Sequence, residues 1–489
     1  MKKTKKLKEN QIDFLLVSSG RLLVALLTLV SIRMVTTYLD PVQFGELAIL
    51  ISLQTFFGLL FINPVGQYIN LKTHQWWEDG VVVGHLKLFR IYFLLIALIG
   101  FVVAFIVGER FSGSGFHYAI VILLMILMAS WNGILIYLLN MLGFRLASTS
   151  MMVITALISL CASVFLVINK PSAPGWFLGQ SVGMFVGALV AILFLIKQQH
   201  QRTTKKEYHP VIDKVALWRY CFPLAAATAF MWCQLSGYRF FIEHYWGLAA
   251  LGLLSIGLQI PSQIAALIES LVMQYLYPYF YSSLNRDKTQ EGLEKSMSDL
   301  INLAIPIYIL VCGGIMLGGP YLVKMLVGPQ FYISSGILSI GALIEFFRMS
   351  ANLFGNAAHA KLKTGLLAMP YFIGASTVFI LLLASEKFGA DISIAAVSLV
   401  IGGILMFVTM LKNTCSNLTI HLNKKTLITF FVLAVFMAIG SLFLPRIDDI
   451  FANLFALCIV GILILSILFV FLKNNSALKS MLSGQLRAN

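Results

Sequence analysis

Charged residues make up only 11% of this 489-residue chain. A soluble domain carries about 25%, so most of the sequence cannot face water. Acidic side chains are the scarcer half, 20 against 35 lysines and arginines, which leaves a net charge of +15. No stretch long and polar enough to form an extramembrane domain interrupts the apolar runs. None of the six cysteines, Cys161, Cys221, Cys233, Cys312, Cys415 and Cys458, stands in a CxxC pair, so neither a disulfide framework nor a metal site is expected. A Walker motif is absent, which excludes ATP hydrolysis by the chain itself. The apolar runs lack the two-residue alternation of an outer-membrane barrel. The lysine-rich start (Lys2, Lys3, Lys5, Lys6, Lys8) looks like a signal peptide. However, the apolar segment behind it is too long, carries Arg21 and Arg33, and lacks an A-x-A cleavage site, so it reads as a retained first helix.

What is present is a series of apolar runs of about 20 residues or more, each long enough to cross a bilayer as a helix. They lie at 12–38, 44–70, 88–108, 117–142, 146–168, 175–197, 215–242, 248–280, 298–319, 331–357, 365–384, 391–411, 426–444 and 450–472. The fold class is therefore all-α, a polytopic membrane protein with 14 transmembrane helices. Pro41, Pro171, Pro174, Pro329 and Pro445 fall in the connections, where helix breakers belong. With both termini inside, 26 of the 35 lysines and arginines fall in inside segments and 5 outside, the remaining 4 lying within spans. That asymmetry predicts cytoplasmic termini and an even number of spans. It also explains the net positive charge without nucleic acid.

The longest polar connection, 198–214, divides the chain into a first lobe of six spans (1–197) and a second of six (215–411). Residues 412–489 add two further helices and a tail. The lobes read as repeats of one unit. Arg33 and Gly45 bracket the first connection of one lobe, and Arg239 and Gly252 bracket the corresponding connection of the other. The same alignment sets Gln67 opposite Gln274. Two pseudo-repeated lobes around a cavity are a common transporter plan.

The stretch MVTTYLDPVQFGELAIL (34–50) resembles the first-loop signature of polysaccharide flippases, and YRFFIEHYWGLAALGLLSIG (238–257) is similar to the matching segment of the second lobe. The likeness is to Wzx-type O-antigen or repeat-unit flippases of the multidrug/oligosaccharidyl-lipid/polysaccharide exporter superfamily. That superfamily also holds lipid II flippases (MurJ-like) and MATE drug exporters. The resemblance implies two six-helix lobes opening alternately to the two faces of a bacterial inner membrane, and an undecaprenyl-diphosphate-linked oligosaccharide as substrate. It further implies a polysaccharide polymerase and a chain-length regulator as partners beside the membrane lipids. The additional pair at the C-terminus matches the lipid II branch in number.

Moving a lipid-linked sugar requires a cationic site for the diphosphate, a polar path for the glycan and an apolar crevice for the tail. Arg21, Arg33, Arg239 and Arg348 lie within spans, where an arginine is costly and rarely without cause. Guanidinium binds phosphate oxygens in a bidentate fork. Arg21 and Arg33, twelve residues apart, sit about 18 Å and about 120° from each other on one helix, too far to share a phosphate. A structural reading stands beside this one: Arg239 with Glu243 (i,i+4) and Arg348 with Glu345 (i,i+3) have the spacing of neutralising pairs, and Arg33 has the reach to snorkel. Glu269 and Glu345 are candidates for coupling to an H⁺ or Na⁺ gradient, with membrane potential as the other energy source and no cofactor required. Gln54, Asn63, Gln67, Gln259, Gln263, Gln274, Asn352 and Asn356, with Asn70, Asn132 and Asn140, are candidates for the polar lining; singly, amides are more often interhelical glue. Trp76, Trp77, Trp176, Trp218 and Trp246 sit near span ends and read as an aromatic belt. Asn63-Pro64 and Pro261 read as hinges or plain kinks.

Other functions fit less well. A MATE-type drug or cation exporter would place carboxylates where the first and seventh spans place arginines. A polysaccharide polymerase or ligase needs a sizeable outer loop, and the outer loops here reach about a dozen residues. A channel does not need two repeated lobes.

Overall fold

The computed structural model describes residues 2–112, 115–200, 212–286, 289–360, 368–387, 392–445, 447, 449–475 and 478. The side chains of 2–15, 111–112, 274–275, 278–279, 281–282, 284–286 and 358–360 lie outside that set, and with them the Gln274 assignment. Sixteen α-helices and no strand occur among the described residues. In chain order they are α1 (Lys2–Tyr38), α2 (Pro41–Phe57), α3 (Asn63–Glu78), α4 (Val82–Leu88), α5 (Arg90–Ser112), α6 (Gly115–Met141), α7 (Arg145–Val167) and α8 (Ala173–His200). They continue as α9 (Lys214–Trp232), α10 (Tyr238–Arg286), α11 (Gln290–Leu326), α12 (Ser335–Ala360), α13 (Ala368–Lys387), α14 (Ile392–Cys415), α15 (Lys424–Phe443) and α16 (Ile450–Asn474).

Thirteen continuous helical stretches among the described residues are long and apolar enough to span a bilayer. One of them, Lys214–Met273, is 60 residues long. At 1.5 Å per residue it would measure about 90 Å, about three bilayer cores. It is not one rod: Gly247, at φ 82° and ψ 171°, breaks the helix. A side chain would strain that backbone, and glycine takes it freely. Cutting there separates the expected seventh and eighth spans and restores 14. The protein is a multi-pass membrane protein of all-α class.

The chain forms two compact units, Met1–Gly252 and Leu253–Asn489. In the first, α7 and α8 pack closely because α8 presents Gly179, Gly183 and Gly187 to Ser163, Ser159 and Thr155 of α7. A Cβ at any of the three glycines would collide with the facing hydroxyl residue. Small residues every four positions are a frequent way for helices to associate in lipid. In the second unit the core lies along α11 and joins it to α10, α12, α14 and α15 through Val272, Ile301, Tyr308, Phe354, Met410 and Phe430.

The prolines behave less uniformly than their positions suggest. Pro41 opens α2 behind the N-cap Asp40, whose carboxylate accepts from the Gln43 amide at 2.8 Å while Gln43 Oε1 accepts from the Asp40 amide at 3.3 Å. This is a capping box with proline in the tolerant first turn. Pro174 lies inside the first turn of α8 rather than in the connection, for the same reason. Neither proposed hinge proline breaks its helix. Ahead of Pro64 the backbone widens into a π-turn, Gly58–Ile62. Two carbonyls of that turn accept side-chain hydroxyls: Thr228 donates to Leu59 O at 2.9 Å and Tyr92 to Phe61 O at 2.9 Å. At Pro261 α10 simply continues. Three tryptophans also depart from the belt reading. Trp76, Trp77 and Trp176 are buried, Trp76 stacked on His85 at 4.2 Å, while Trp218 is exposed as a belt residue should be.

Candidate functional site

In the first unit, a cavity of about 550 Å³ opens among α1, α6, α7 and α8. Arg21, Asn132, Asn140, Thr155, Ser159 and Gln180 give it a polar wall, and no aspartate or glutamate lines it. The α7–α8 glycine contact builds part of that wall. Gly187 lets Thr155 and Asn132 approach α8, so that the Asn132 amide donates to Thr155 Oγ1 and to Met184 O, both at 3.1 Å. Ser159 likewise donates to Gln180 O at 3.2 Å. Three amides, two hydroxyls and one guanidinium thus surround a ligand-sized volume within an apolar helix group.

Arg239 stands in a second polar seam of the same unit. Beside its helix the chain forms another π-turn, Cys233–Gly237. Arg239 Nη1 reaches Ala48 O and Ser52 Oγ of α2, each at a long 3.4 Å. Its buried Nε has no hydrogen-bond partner. Trp232 Nε1 donates to Ser52 O at 3.0 Å, and Thr55 Oγ1 meets Ser236 Oγ at 3.4 Å. The neutralising pair with Glu243 does not form: no ion pair joins the two among the described residues. A half-buried guanidinium with an unsatisfied N–H retains capacity to bind an anion. Arg33 is half-buried on α1 and does not line the Arg21 cavity. Gln54 and Asn63 are half-buried, and Gln67 is exposed and donates to Asn63 Oδ1 at 3.3 Å.

The second unit gathers five of the candidate residues into one network. Arg348 bonds Glu345 Oε2 through Nε at 2.6 Å and Glu269 Oε2 through Nη1 at 3.0 Å. All three side chains are under 20% exposed. Asn352 donates to Glu269 Oε1 at 3.0 Å and accepts from Tyr371 at 3.0 Å. Asn356, buried one turn on, donates to Tyr277 Oη at 2.6 Å. Glu345, Arg348, Asn352 and Asn356 fall at steps of three, four and four, and therefore on one face of α12. Arg348, placed by sequence in the cationic site, is instead held by carboxylates. With both carboxylates ionised the network keeps one uncompensated negative charge. Gln259 and Gln263 sit half-buried on α10.

Several contributors escape a reading that looks for charge and amides. Thr228, Trp232 and Tyr92 matter because they satisfy backbone groups of α2 and of the π-turn after it; the only signal is for Thr228, since Pro64 lacks the N–H that a carbonyl of the π-turn would otherwise accept. Tyr371 and Tyr277 extend the acidic network and have no sequence signature.

No family model matches the chain, and no curated protein matches it by sequence. Solved structures do. The lipid II flippase MurJ in an inward closed conformation aligns over 94% of this chain and 99% of its own, with a TM-score of 0.70 at 15% identity. An inward-facing MATE family multidrug resistance transporter of the MOP superfamily covers 81% of this chain and 95% of its own, TM-score 0.57 at 13% identity. The eukaryotic MATE transporter AtDTX14 covers 88% and 99%, TM-score 0.55 at 14% identity. The fold is thus MurJ/MATE-like.

Proposed function

We propose that the chain is a flippase of the Wzx type. It carries an undecaprenyl-diphosphate-linked oligosaccharide from the cytoplasmic to the outer face of a bacterial inner membrane by alternating access. The observation that carries this reading is the Arg21 cavity, which offers a cation, amides and hydroxyls and no carboxylate. That chemistry suits an anionic head bearing sugar hydroxyls and repels nothing about a diphosphate, whereas a cationic drug would find no counter-charge there. Arg239 adds a second cation with unused N–H capacity, and Arg33 completes the arginine set of the spans. The fold supports the same reading, being that of proteins that include a lipid flippase. Glu269 and Glu345 serve in it as the site for a coupling H⁺ or Na⁺, since their shared arginine leaves them one positive charge short. A polymerase and a chain-length regulator are the proposed downstream partners, and the lysine and arginine distribution supports cytoplasmic termini.

The test is to replace Arg21 and Arg239 with alanine, singly and together, in cells lacking the native gene. Surface polysaccharide is read by gel, with membrane insertion checked in parallel. Inserted variants should lose polymer and accumulate the lipid-linked unit on the cytoplasmic face. Normal polymer from the inserted double variant would overturn the assignment. The acidic network favours a second reading, a cation exporter, and that reading gains if Glu269→Gln abolishes drug resistance while polymer is unaffected.

A further inference from the structure

The two helices beyond the twelve-span core have their own site. At one end the hairpin of α15 and α16 is tied to α11 through its turn: Lys324 Nζ donates to Ile447 O at 2.8 Å and Tyr321 Oη to Pro445 O at 3.2 Å. At the other end Asn302 donates to His421 O at 2.7 Å and accepts from the Asn423 amide at 2.8 Å, while Ser298 Oγ accepts from the His421 amide at 3.0 Å. Between those ties, at the Asn423 end, α11, α15 and α16 leave a cleft of about 630 Å³.

The cleft wall changes character with depth, in the same direction on both hairpin helices. On α15, Lys425 and Thr426 stand at the helix start, Thr429 follows one turn in, and Phe430 lies at the floor. On α16, which runs the other way, Asn474 stands at the helix end, followed inward by Phe471, Val470 and Ile467, with the Ser466 hydroxyl beyond them. Phe430 and Phe471 meet edge to face at 4.9 Å. From Lys425 to Phe430 is about 8 Å of rise, so a polar rim passes to an apolar floor within the depth at which a lipid passes from headgroup to acyl chain. The rim carries one charge of each sign, Lys425 and Asp299, and neither is in an ion pair among the described residues. A zwitterion with a phosphate and an N–H donor meets both; an anion alone would face the carboxylate.

We propose that this cleft binds a glycerophospholipid with a phosphoethanolamine headgroup. Lys425 takes the phosphate, Asp299 the ammonium, and Phe430, Ile467, Val470 and Phe471 the first methylenes of the chains. The orientation set by the lysine and arginine distribution puts the site in the cytoplasmic leaflet. The inference rests on that orientation and not on the transported substrate.

The experiment uses the full-length protein, purified in detergent and stripped of lipid. It is incubated with equal amounts of phosphatidylethanolamine and phosphatidylcholine of matched chains, and retained lipid is counted by native mass spectrometry. Wild type should retain the ethanolamine lipid in preference. Lys425→Gln should lower total retention about five-fold, the weight of one basic residue at a headgroup layer. Asp299→Asn should abolish the preference and keep the total, because choline offers no N–H to lose. Val470→Trp, at an exposed position, should fill the floor and expel both lipids without lowering the melting temperature. Lys473→Gln, also exposed but outside the cleft, is the control and should match wild type. Equal retention of the two lipids by wild type overturns the proposal. So does unchanged retention in the cleft variants, or an equal loss in the Lys473 control. Transport is not measured, so failure here leaves the flippase assignment untouched.

Discussion

Arg348→Met isolates the energetics of the acidic network. The side chain lost is one guanidinium that holds two carboxylates at 2.6 and 3.0 Å. Each contact is worth about 5.5–6.5 kcal/mol of Coulomb attraction at an effective dielectric near 20, most of which offsets the desolvation of the three charges. The net effect of removing one member of a buried ion group is therefore smaller, about 3–5 kcal/mol, and comes from carboxylates left buried without a partner. A domain of roughly 240 residues loses about 2–4 °C per kcal/mol, so the variant should melt roughly 6–20 °C below wild type. The sign depends on charge and not on packing, because methionine fills much of the space arginine vacates. Two companions separate those causes. Glu345→Gln removes the surplus negative charge and should melt at or above wild type. Adding Glu269→Gln to Arg348→Met removes half of the stranded charge and should restore part of the loss. Thermal unfolding of the detergent-purified proteins reads all three. If Arg348→Met melts with wild type, or Glu345→Gln falls as far as it does, the network is not the charge-deficient group drawn here, and its assignment as a coupling site goes with it.

Other consequences follow from single contacts. Gly183→Val puts methyls against Ser159 and should cost about 1–3 kcal/mol by overpacking, read as a lower melting temperature. Thr228→Val removes the hydroxyl that serves Leu59 O in the π-turn and should destabilise by about 1–2 kcal/mol, with Thr228→Ser retaining most of the stability. Gly247→Ala forces a Cβ into a left-handed backbone at φ 82° and should cost about 1–2 kcal/mol although no neighbour lies within reach of the new atom.

The topology was legible because a bilayer imposes length and charge rules on every span. Twelve of the fourteen spans emerge directly, and the merged seventh and eighth separate at Gly247. Span ends were less legible: α11 runs Gln290–Leu326 where composition marks 298–319, since its end turns carry polar residues that pay no hydropathic dividend but still find partners. The site was half legible. Steps of three and four gather Glu345, Arg348, Asn352 and Asn356, yet no spacing rule brings Glu269 to them from another helix. The same blindness hid Arg239's true neighbours: Glu243 is near in sequence, whereas Ser52 and Ala48 are on α2. The flippase-like LDPVQFG segment is explained locally. Asp40 caps, Pro41 starts the helix, Gln43 closes the capping box, and Gly45 permits a close approach. These are fold devices, which is why the segment marks the architecture more strongly than the cargo.

Gly45 carries the last prediction, because the repeat inferred from sequence reappears there as a reciprocal contact. A Cβ on Gly45 would run into the carbonyl of Leu248, and a Cβ on Gly252 into the carbonyl of Pro41. Pro41 precedes Gly45 by four residues, as Leu248 precedes Gly252. Each repeat thus supplies a glycine and, one turn earlier, the carbonyl that the other repeat's glycine must admit. Two helix starts cross there at backbone distance, which only a hydrogen on both sides allows. Gly45→Ala and Gly252→Ala should therefore act alike, each costing about 1–3 kcal/mol by forcing the helix starts apart. The double variant should lose clearly less than the sum, because the first Cβ already creates the room that the second needs. Thermal melting of the three proteins decides it. A tolerated alanine on one side with a damaging one on the other, or a strictly additive pair, would show that the two glycines serve separate contacts and that the symmetry is only in the sequence.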